Sequence, residues 1–282
     1  MTMNRVTESL AILNKKIRIH PTAIVSKEAQ IAEGVEIGAY TIVGPHVKIA
    51  AGTTIAHHVI LEGHTLIGKN CKIFSGALLG ADPQDKKYSK DTESFLIIGD
   101  GNTIREYVTM HPGSAQGSKT VVGNRNLIMI GVHVAHDCVL GDDITIANTV
   151  GLSGHVQVED KAVIGGMAGI HQFTRIGKLS MIGGVSKVNT DIPPFSICDG
   201  NPVRFYGLNS IGLKRAGYNS KDSLEIKKAL KILFASGLKC STAIAKVKES
   251  CKKNKDIDHL LDFVAKSERG IPRSSIKSDH KI

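Results

Sequence analysis

Branched aliphatic residues stand six apart along most of this chain. Ile19, Val25, Ile31, Ile37, Val43, Ile49, Ile55, Leu61, Ile67, Ile73 and Leu79 keep that spacing without a miss. After an interruption it restarts at Ile98, Ile104 and Met110, passes over Gln116, and runs through Val122, Ile128, Val134, Leu140, Ile146, Leu152, Val158, Ile164, Ile170, Ile176, Ile182 and Val188. A helix repeats about every 3.6 residues and a strand every second residue, so neither produces this pattern. A short strand followed by a tight corner does, repeated many times with one aliphatic per unit facing a narrow core.

Glycine often follows the aliphatic, as in Ile37-Gly38, Val43-Gly44, Leu140-Gly141 and Ile164-Gly165, and turn formers such as Asp100, Asn124, Asp142 and Asp160 come next. Three such units predict a triangular coil of about 18 residues, stacked on its neighbours at the ~4.8 Å strand spacing. The pattern resembles the hexapeptide-repeat proteins. That resemblance implies a mainly β fold, a left-handed parallel β-helix with a small C-terminal α-helical domain; the spacing alone does not fix the hand. Function stays open at this point, because hexapeptide prisms include acyltransferases, γ-class carbonic anhydrases, nucleotidyltransferases and inert structural proteins.

The expected organisation is an N-terminal extension over 1–18, a prism over 19–192 and a helical domain over 193–282. Polar stretches at 80–97 and 111–121 break the spacing and should loop out from corners, where binding groups tend to sit. In the C-terminal part, 220–236 reads as a helix stopped by Gly237, with Ser241 and Asp256 expected to cap two more helices. The first 18 residues lack the apolar region and cleavage site of a signal peptide. No apolar run approaches the ~20 residues of a membrane span, so no stable membrane insertion is expected.

Charge is uneven. From Lys214 onward there are 17 Lys/Arg against 8 Asp/Glu, a net +9 out of +10 for the 282-residue chain. A basic appendage points to an acidic partner or to a merely solvated helical face. The five cysteines, Cys71, Cys138, Cys198, Cys240 and Cys251, are scattered and odd in number. They fit neither a disulfide framework nor a CxxC zinc site, and a reducing cytoplasm suits them.

The segment IGVHVAHDCVLG, from Ile130 to Gly141, carries two histidines and an aspartate. With Val134 pointing inward, His136 falls on a corner, and steps of 18 put Gly154 and Gln172 above it. His155 and His171 flank the same column and His133 lies just before it. A periodic apolar core has no use for such a cluster. Two chemistries fit: a zinc site, as in the γ-class carbonic anhydrases, or general base catalysis by a neutral imidazole. The second also explains Gly154, whose backbone N–H can serve a developing oxyanion. A third class, a non-catalytic prism that docks an acidic partner, stays open too.

GVHVAHDC, LSGHV (Leu152–Val156), GGMAGIHQF (Gly165–Phe173), PQDKKY (Pro83–Tyr88) and LNSIGLKRAGY (Leu208–Tyr218) together resemble the UDP-N-acetylglucosamine 3-O-acyltransferases of lipid A synthesis. The likeness runs over nearly the whole chain from IHPTAIV at Ile19. It implies transfer of a fatty acyl group, (R)-3-hydroxyacyl, from acyl carrier protein to the glucosamine 3-position of UDP-GlcNAc. His136 matches the general base, Asp137 the residue supporting it, and Gly154 the oxyanion donor. Asp137 is adjacent to His136 in sequence, which does not by itself make it a direct partner. His133, His155, His171 and Gln172 match residues lining the sugar nucleotide and acyl groups. Gln84, Asp85 and Lys87 match residues gripping the acyl or sugar portion, and Asn209 and Arg215 match nucleotide-binding positions.

The resemblance further implies a homotrimer with the cleft between prisms, and acyl carrier protein as the acidic partner of the basic tail. It implies neither metal nor other cofactor, and no nucleic acid. Gly131, Thr149 and Asp199–Val203 depart from the family pattern near the expected acceptor pocket, leaving a 3-hydroxyl and a 3-amino acceptor both open. Gly183-Gly184 is small where the family reads acyl length, which leans toward a longer chain.

Overall fold

The computed structural model describes residues 16–274. The expected N-terminal extension falls almost wholly outside them; within them the first strand is already Arg18–Ile19. From there the chain winds through strands mostly two residues long, which stack into three parallel sheets of eleven, nine and eight strands, with one antiparallel pairing at the C-terminal end. His133 pairs with Gly151 and Gly151 with Gly169, so one coil is 18 residues, as the spacing requires.

Beyond the first coil, where Ile19 is exposed and Val25 and Ile31 are half-buried, most corner-to-corner units bury two side chains rather than one. Val132 and Val134, Cys138 and Leu140, and Val150 and Leu152 are all essentially inaccessible. Burying a Val, Leu or Ile side chain stabilises by roughly 1.5–3 kcal/mol, and a stacked row adds this coil by coil. Some of the second positions are polar and bond to the backbone instead: Thr41 and Thr53 donate to the carbonyls of Ala56 and Gly68 at 2.8 and 2.7 Å. Asn126 donates its backbone N–H to Asn102 Oδ1 and its side-chain amide to the Gly141 carbonyl, an amide ladder inside one edge. All five cysteines are free thiols, and burial pushes the Cys138 thiol up to about 12.

Three expected boundaries shift. The strand after the first loop begins at Phe95, not after residue 97, because Phe95–Ile98 pairs over four residues with His64–Ile67. The second loop likewise ends at Ser118, since Lys119–Val122 extends the same sheet. At the far end the sheet does not stop at 192: Ser196–Asp199 pairs in parallel with Met181–Ile182, and Arg204–Leu208 folds back antiparallel on it.

The helices are α1 (Ser210–Arg215), α2 (Ser220–Ala235), α3 (Cys240–Ser250) and α4 (Lys255–Ala265). Neither Ser241 nor Asp256 is a cap. Helix α3 starts one residue before Ser241 without a side-chain cap, and Asn254 caps α4, accepting from the N–H groups of Asp256 and Ile257. Both asparagine and aspartate are good caps, and Asn254 stands first. No helix among the described residues is long and apolar enough to cross a membrane.

Candidate active site

His133–Val134 is a strand of the nine-stranded sheet, and the chain turns at the next corner through His136 and Asp137. Asp137 sits in the left-handed region at φ 59°, a conformation that aspartate tolerates better than most residues. Its carboxylate thereby meets its own neighbour: Asp137 Oδ2 lies 2.8 Å from His136 Nδ1. Ser114, on the second loop, donates its N–H and its hydroxyl to the same oxygen at 3.1 and 2.7 Å. Burial alone would raise the Asp137 pKa, but the bonds from Ser114, His136 and Ser118 outweigh it and hold the carboxyl below its ordinary value. An anionic acceptor at Nδ1 fixes the proton there and leaves the Nε2 lone pair of a neutral His136 free to take another.

Gly154 lies one coil further along, as the 18-residue step predicts. A Cβ at this position would stand 2.5 Å from His136 Cε1 and 2.6 Å from Nε2, so the imidazole occupies the space a side chain would need. The column continues through hydrogen bonds from the N–H groups of His155 and Phe173 to the carbonyls of His136 and Gly154. Among the described residues the Gly154 N–H has no acceptor of its own, beside the ring that would deliver a nucleophile.

A cavity of about 520 Å³ opens here, lined among others by Gln84, His133, His136, Gly154 and His171. Its floor is the outward row His133–Gly151–Gly169–Lys187 of the nine-stranded sheet. His133 Nδ1 bonds to Thr109 Oγ1 at 2.8 Å. Burial first, then the neighbouring His111 and His136, lowers the His133 pKa, which keeps that ring neutral. At Gly151 and Gly169 an added Cβ meets nothing within 4 Å. These glycines serve no close packing and leave an open channel, three coil steps or about 14 Å long from His133 to Lys187.

The remaining expected residues are not in this cavity of a single chain. His155 lies around the corner, stacked on Phe173 at 4.6 Å and edge-on to His136 at 5.2 Å. Asp85 accepts the Lys87 N–H within its own loop, and neither it nor Lys87, Gln172 or Arg215 lines the cavity. Asn209 is a structural residue here: 6% exposed, it caps α1 through Gly212 N–H and donates to the Leu179 carbonyl at 2.8 Å. Gly131 and Thr149 occupy a different corner, and the Asp199 carboxylate is bonded to Ser186 and the Gly200 N–H, so these departures leave the cavity walls untouched. Sequence reasoning missed Ser114, Thr109, the two floor glycines and Lys187. For the glycines a signal existed, since each sits immediately before a spacing aliphatic, where no corner needs one.

His136, Asp137 and His155 offer ligand atoms within 4.8 Å of one another, enough to consider a metal. The donor set argues otherwise. Asp137 Oδ2 already takes two hydrogen bonds from Ser114 and one from His136, so a cation at that oxygen would compete with all three. A larger cleft of about 730 Å³ lies at the N-terminal end of the eleven-stranded sheet. Its histidines are tied up locally, His20 with Thr22 at 2.9 Å and His57 with the Ala39 N–H at 3.0 Å.

Residues 191–272 match the profile of the second domain of UDP N-acetylglucosamine O-acyltransferase. An acyl-[acyl-carrier-protein]–UDP-N-acetylglucosamine O-acyltransferase from Herminiimonas arsenicoxydans is 48% identical over 260 residues, covering 90% of this chain and 99% of that one. The chain belongs to this O-acyltransferase family. A relative of the same name from Thermodesulfovibrio yellowstonii is 50% identical, again over 90% and 99% of the two chains. Among solved structures, the UDP-N-acetylglucosamine acyltransferase of Bacteroides fragilis superposes with a TM-score of 0.88 at 38% identity, covering 90% of this chain and 99% of that one. That of Moraxella catarrhalis gives 0.87 at 41%, with the same coverage. The fold of this O-acyltransferase family member is the left-handed parallel β-helix with a helical C-terminal region.

Proposed function

We propose that this chain transfers a fatty acyl group, (R)-3-hydroxyacyl, from acyl carrier protein to the glucosamine 3-oxygen of UDP-GlcNAc, the first step of lipid A synthesis. The observation that carries the reading is the Asp137-bonded His136 ring packed on Gly154, whose N–H has no acceptor among the described residues, with His136 and Gly154 both lining the cavity. His136 Nε2 takes the proton of the 3-hydroxyl as its oxygen attacks the thioester carbonyl carbon. The Gly154 N–H donates to the oxyanion of the tetrahedral intermediate. Collapse breaks the carbon–sulfur bond, and the departing thiolate of the carrier takes the proton from His136. Asp137 keeps the ring in the required tautomer and stabilises the imidazolium formed between the two steps. No cofactor enters this sequence.

The relatives are named O-acyltransferases, and the departures at Gly131, Thr149 and Asp199 lie outside the cavity, which favours the hydroxyl over a 3-amino acceptor. The assembly is a homotrimer in the cytoplasm, with the open cleft closed by an adjacent prism and the basic helical domain steering the acidic carrier protein. Asp85, Lys87, Asn209 and Arg215 would serve substrate from there or by rearrangement. Gly183 and Gly184 favour a longer acyl chain, although Gly183 also packs on the Asp199 carboxylate.

The test is incubation with UDP-GlcNAc and a panel of acyl carrier protein thioesters, with the product read by mass spectrometry. His136→Ala should cut transfer by about 10²- to 10⁴-fold without unfolding the protein. Transfer at the normal rate by a folded His136→Ala enzyme would remove the base assignment.

A further inference from the structure

The chain that leaves helix α4 returns to the prism beside the cavity. Arg175, on the last strand of the eight-stranded sheet, lays its guanidinium over the Phe263 ring at 4.1 Å and donates to the Lys266 carbonyl at 3.2 Å. Asp191, 1% exposed, accepts from the Arg175 N–H and the Ser267 hydroxyl, both at 2.8 Å. The Asp191 N–H in turn donates to the Gly270 carbonyl at 2.8 Å. Residues 266–270 are thus held at both ends, and the residue presented between them is Arg269. Its Nη2 lies 3.0 Å from Nδ1 of His171, on the cavity wall.

A guanidinium has only donors and stays protonated, so the ring nitrogen facing it must offer a lone pair. The Gln172 carbonyl, 3.2 Å from the same Nδ1, would favour a proton there. The contact with the cation is the shorter, and a charge-assisted bond is roughly twice as strong as a neutral one, so it decides the tautomer. A neutral His171 then carries its proton on Nε2.

We propose that Arg269 is a positioning residue for acyl transfer: it locks His171 as the Nε2–H tautomer, making that ring a hydrogen-bond donor to an oxygen of the substrate in the His136 cavity. The second half rests on the cavity being the acyl-transfer site; the first does not. The helical domain, through five residues at its end, thereby sets the donor pattern of a site built on the prism.

The tautomer can be read without substrate, from the ¹⁵N shifts of histidine-labelled full-length protein, with His171 assigned by comparison with His171→Gln. Wild type should show His171 Nδ1 unprotonated and Nε2 protonated. Arg269→Gln should move the proton to Nδ1, toward the Gln172 carbonyl, and Arg269→Lys, which keeps a charged donor, should restore the wild-type pattern. A protonated Nδ1 in wild type overturns the proposal whatever the activity.

In steady-state assays Arg269→Gln should lower kcat/KM about tenfold, the worth of one positioned hydrogen bond. Combined with His171→Gln it should cost nothing further, because the two substitutions remove one interaction. Losses that simply multiply in the double variant would mean that Arg269 merely props the fold, and the proposal fails. If wild type transfers no acyl group at all, the functional reading fails while the tautomer result still stands on its own.

Discussion

The edge of the His136 ring rests against the bare Cα of Gly154, one coil away, in space that any other residue would fill with its Cβ. Gly154→Ala must therefore push the base aside rather than break the coil. A displacement of about 1 Å at a reacting group costs on the order of 10²-fold in rate. We expect Gly154→Ala to lose at least that much in kcat while its melting temperature moves little. Full activity in a folded Gly154→Ala protein would show that the ring and this backbone do not act together.

Ser114 gives two hydrogen bonds to the oxygen that holds His136. Ser114→Ala removes the hydroxyl and lets the Asp137 pKa rise from its depressed value. A carboxyl with a depressed pKa contributes stability at neutral pH and loses it as pH falls through the folded value, below 3.8. The variant should therefore show a smaller stability difference between pH 7 and pH 3 in urea melts, and an acid limb of kcat/KM displaced to higher pH. An unchanged pH profile would argue that Asp137 does not depend on this loop.

Gly169 forms the cavity floor, with nothing within 4 Å of where its Cβ would stand. Gly169→Val puts a branched side chain, well suited to a strand, into the channel. Thermal stability should be equal to wild type or higher, and kcat/KM should fall at least tenfold. An active Gly169→Val enzyme would mean that substrate does not run along this row.

His259 bonds to Glu159 at 2.8 Å, fastening α4 to the prism, and that bond raises its pKa above 6.5. A raised histidine contributes stability that is full below 6.5 and fades as pH rises through the folded value. His259→Gln should therefore lower the melting temperature more at about pH 6 than at about pH 9. The pair is partly exposed, so the effect will be modest and weaker in salt. Equal shifts at both pH values would rule out a charged pair.

The six-residue spacing was enough to stack His136, Gly154 and Gln172 in one column, because a coil of fixed length converts sequence distance into contact: Gly154 and Gln172 follow His136 at the predicted steps. What the spacing could not show is which way a side chain leaves a corner. The left-handed residue at each corner does follow the spacing, at Gly131, Asp137, Asp143, Thr149 and His155 in turn, but the spacing does not report that the Asp137 carboxylate turns back onto His136. His155, adjacent to the column, stacks on Phe173 and stays outside the cavity lining. Arg269 and His171 are 98 residues apart and meet only because Asp191 and Arg175 anchor the returning chain. Asn209 carries a recognisable motif position, yet its amide is consumed by the start of a six-residue helix too short to register in a hydrophobic pattern.

The 18-residue coil also governs how such a gene can change. Between His136 and Gln172, deleting one codon would not shorten the prism; it would turn every later side chain off its face and exchange inward aliphatics for outward polar residues. Only a whole coil, added or removed, preserves the phase. The other latitude lies at corners where the chain already departs, at 80–94 and 111–118. The first excursion lines the cavity through Gln84, and the second reaches the residue that holds His136, through the bond from Ser114 to Asp137. Length variation is thus channelled to the rim of the site, where it can retune the substrate without putting the register at risk.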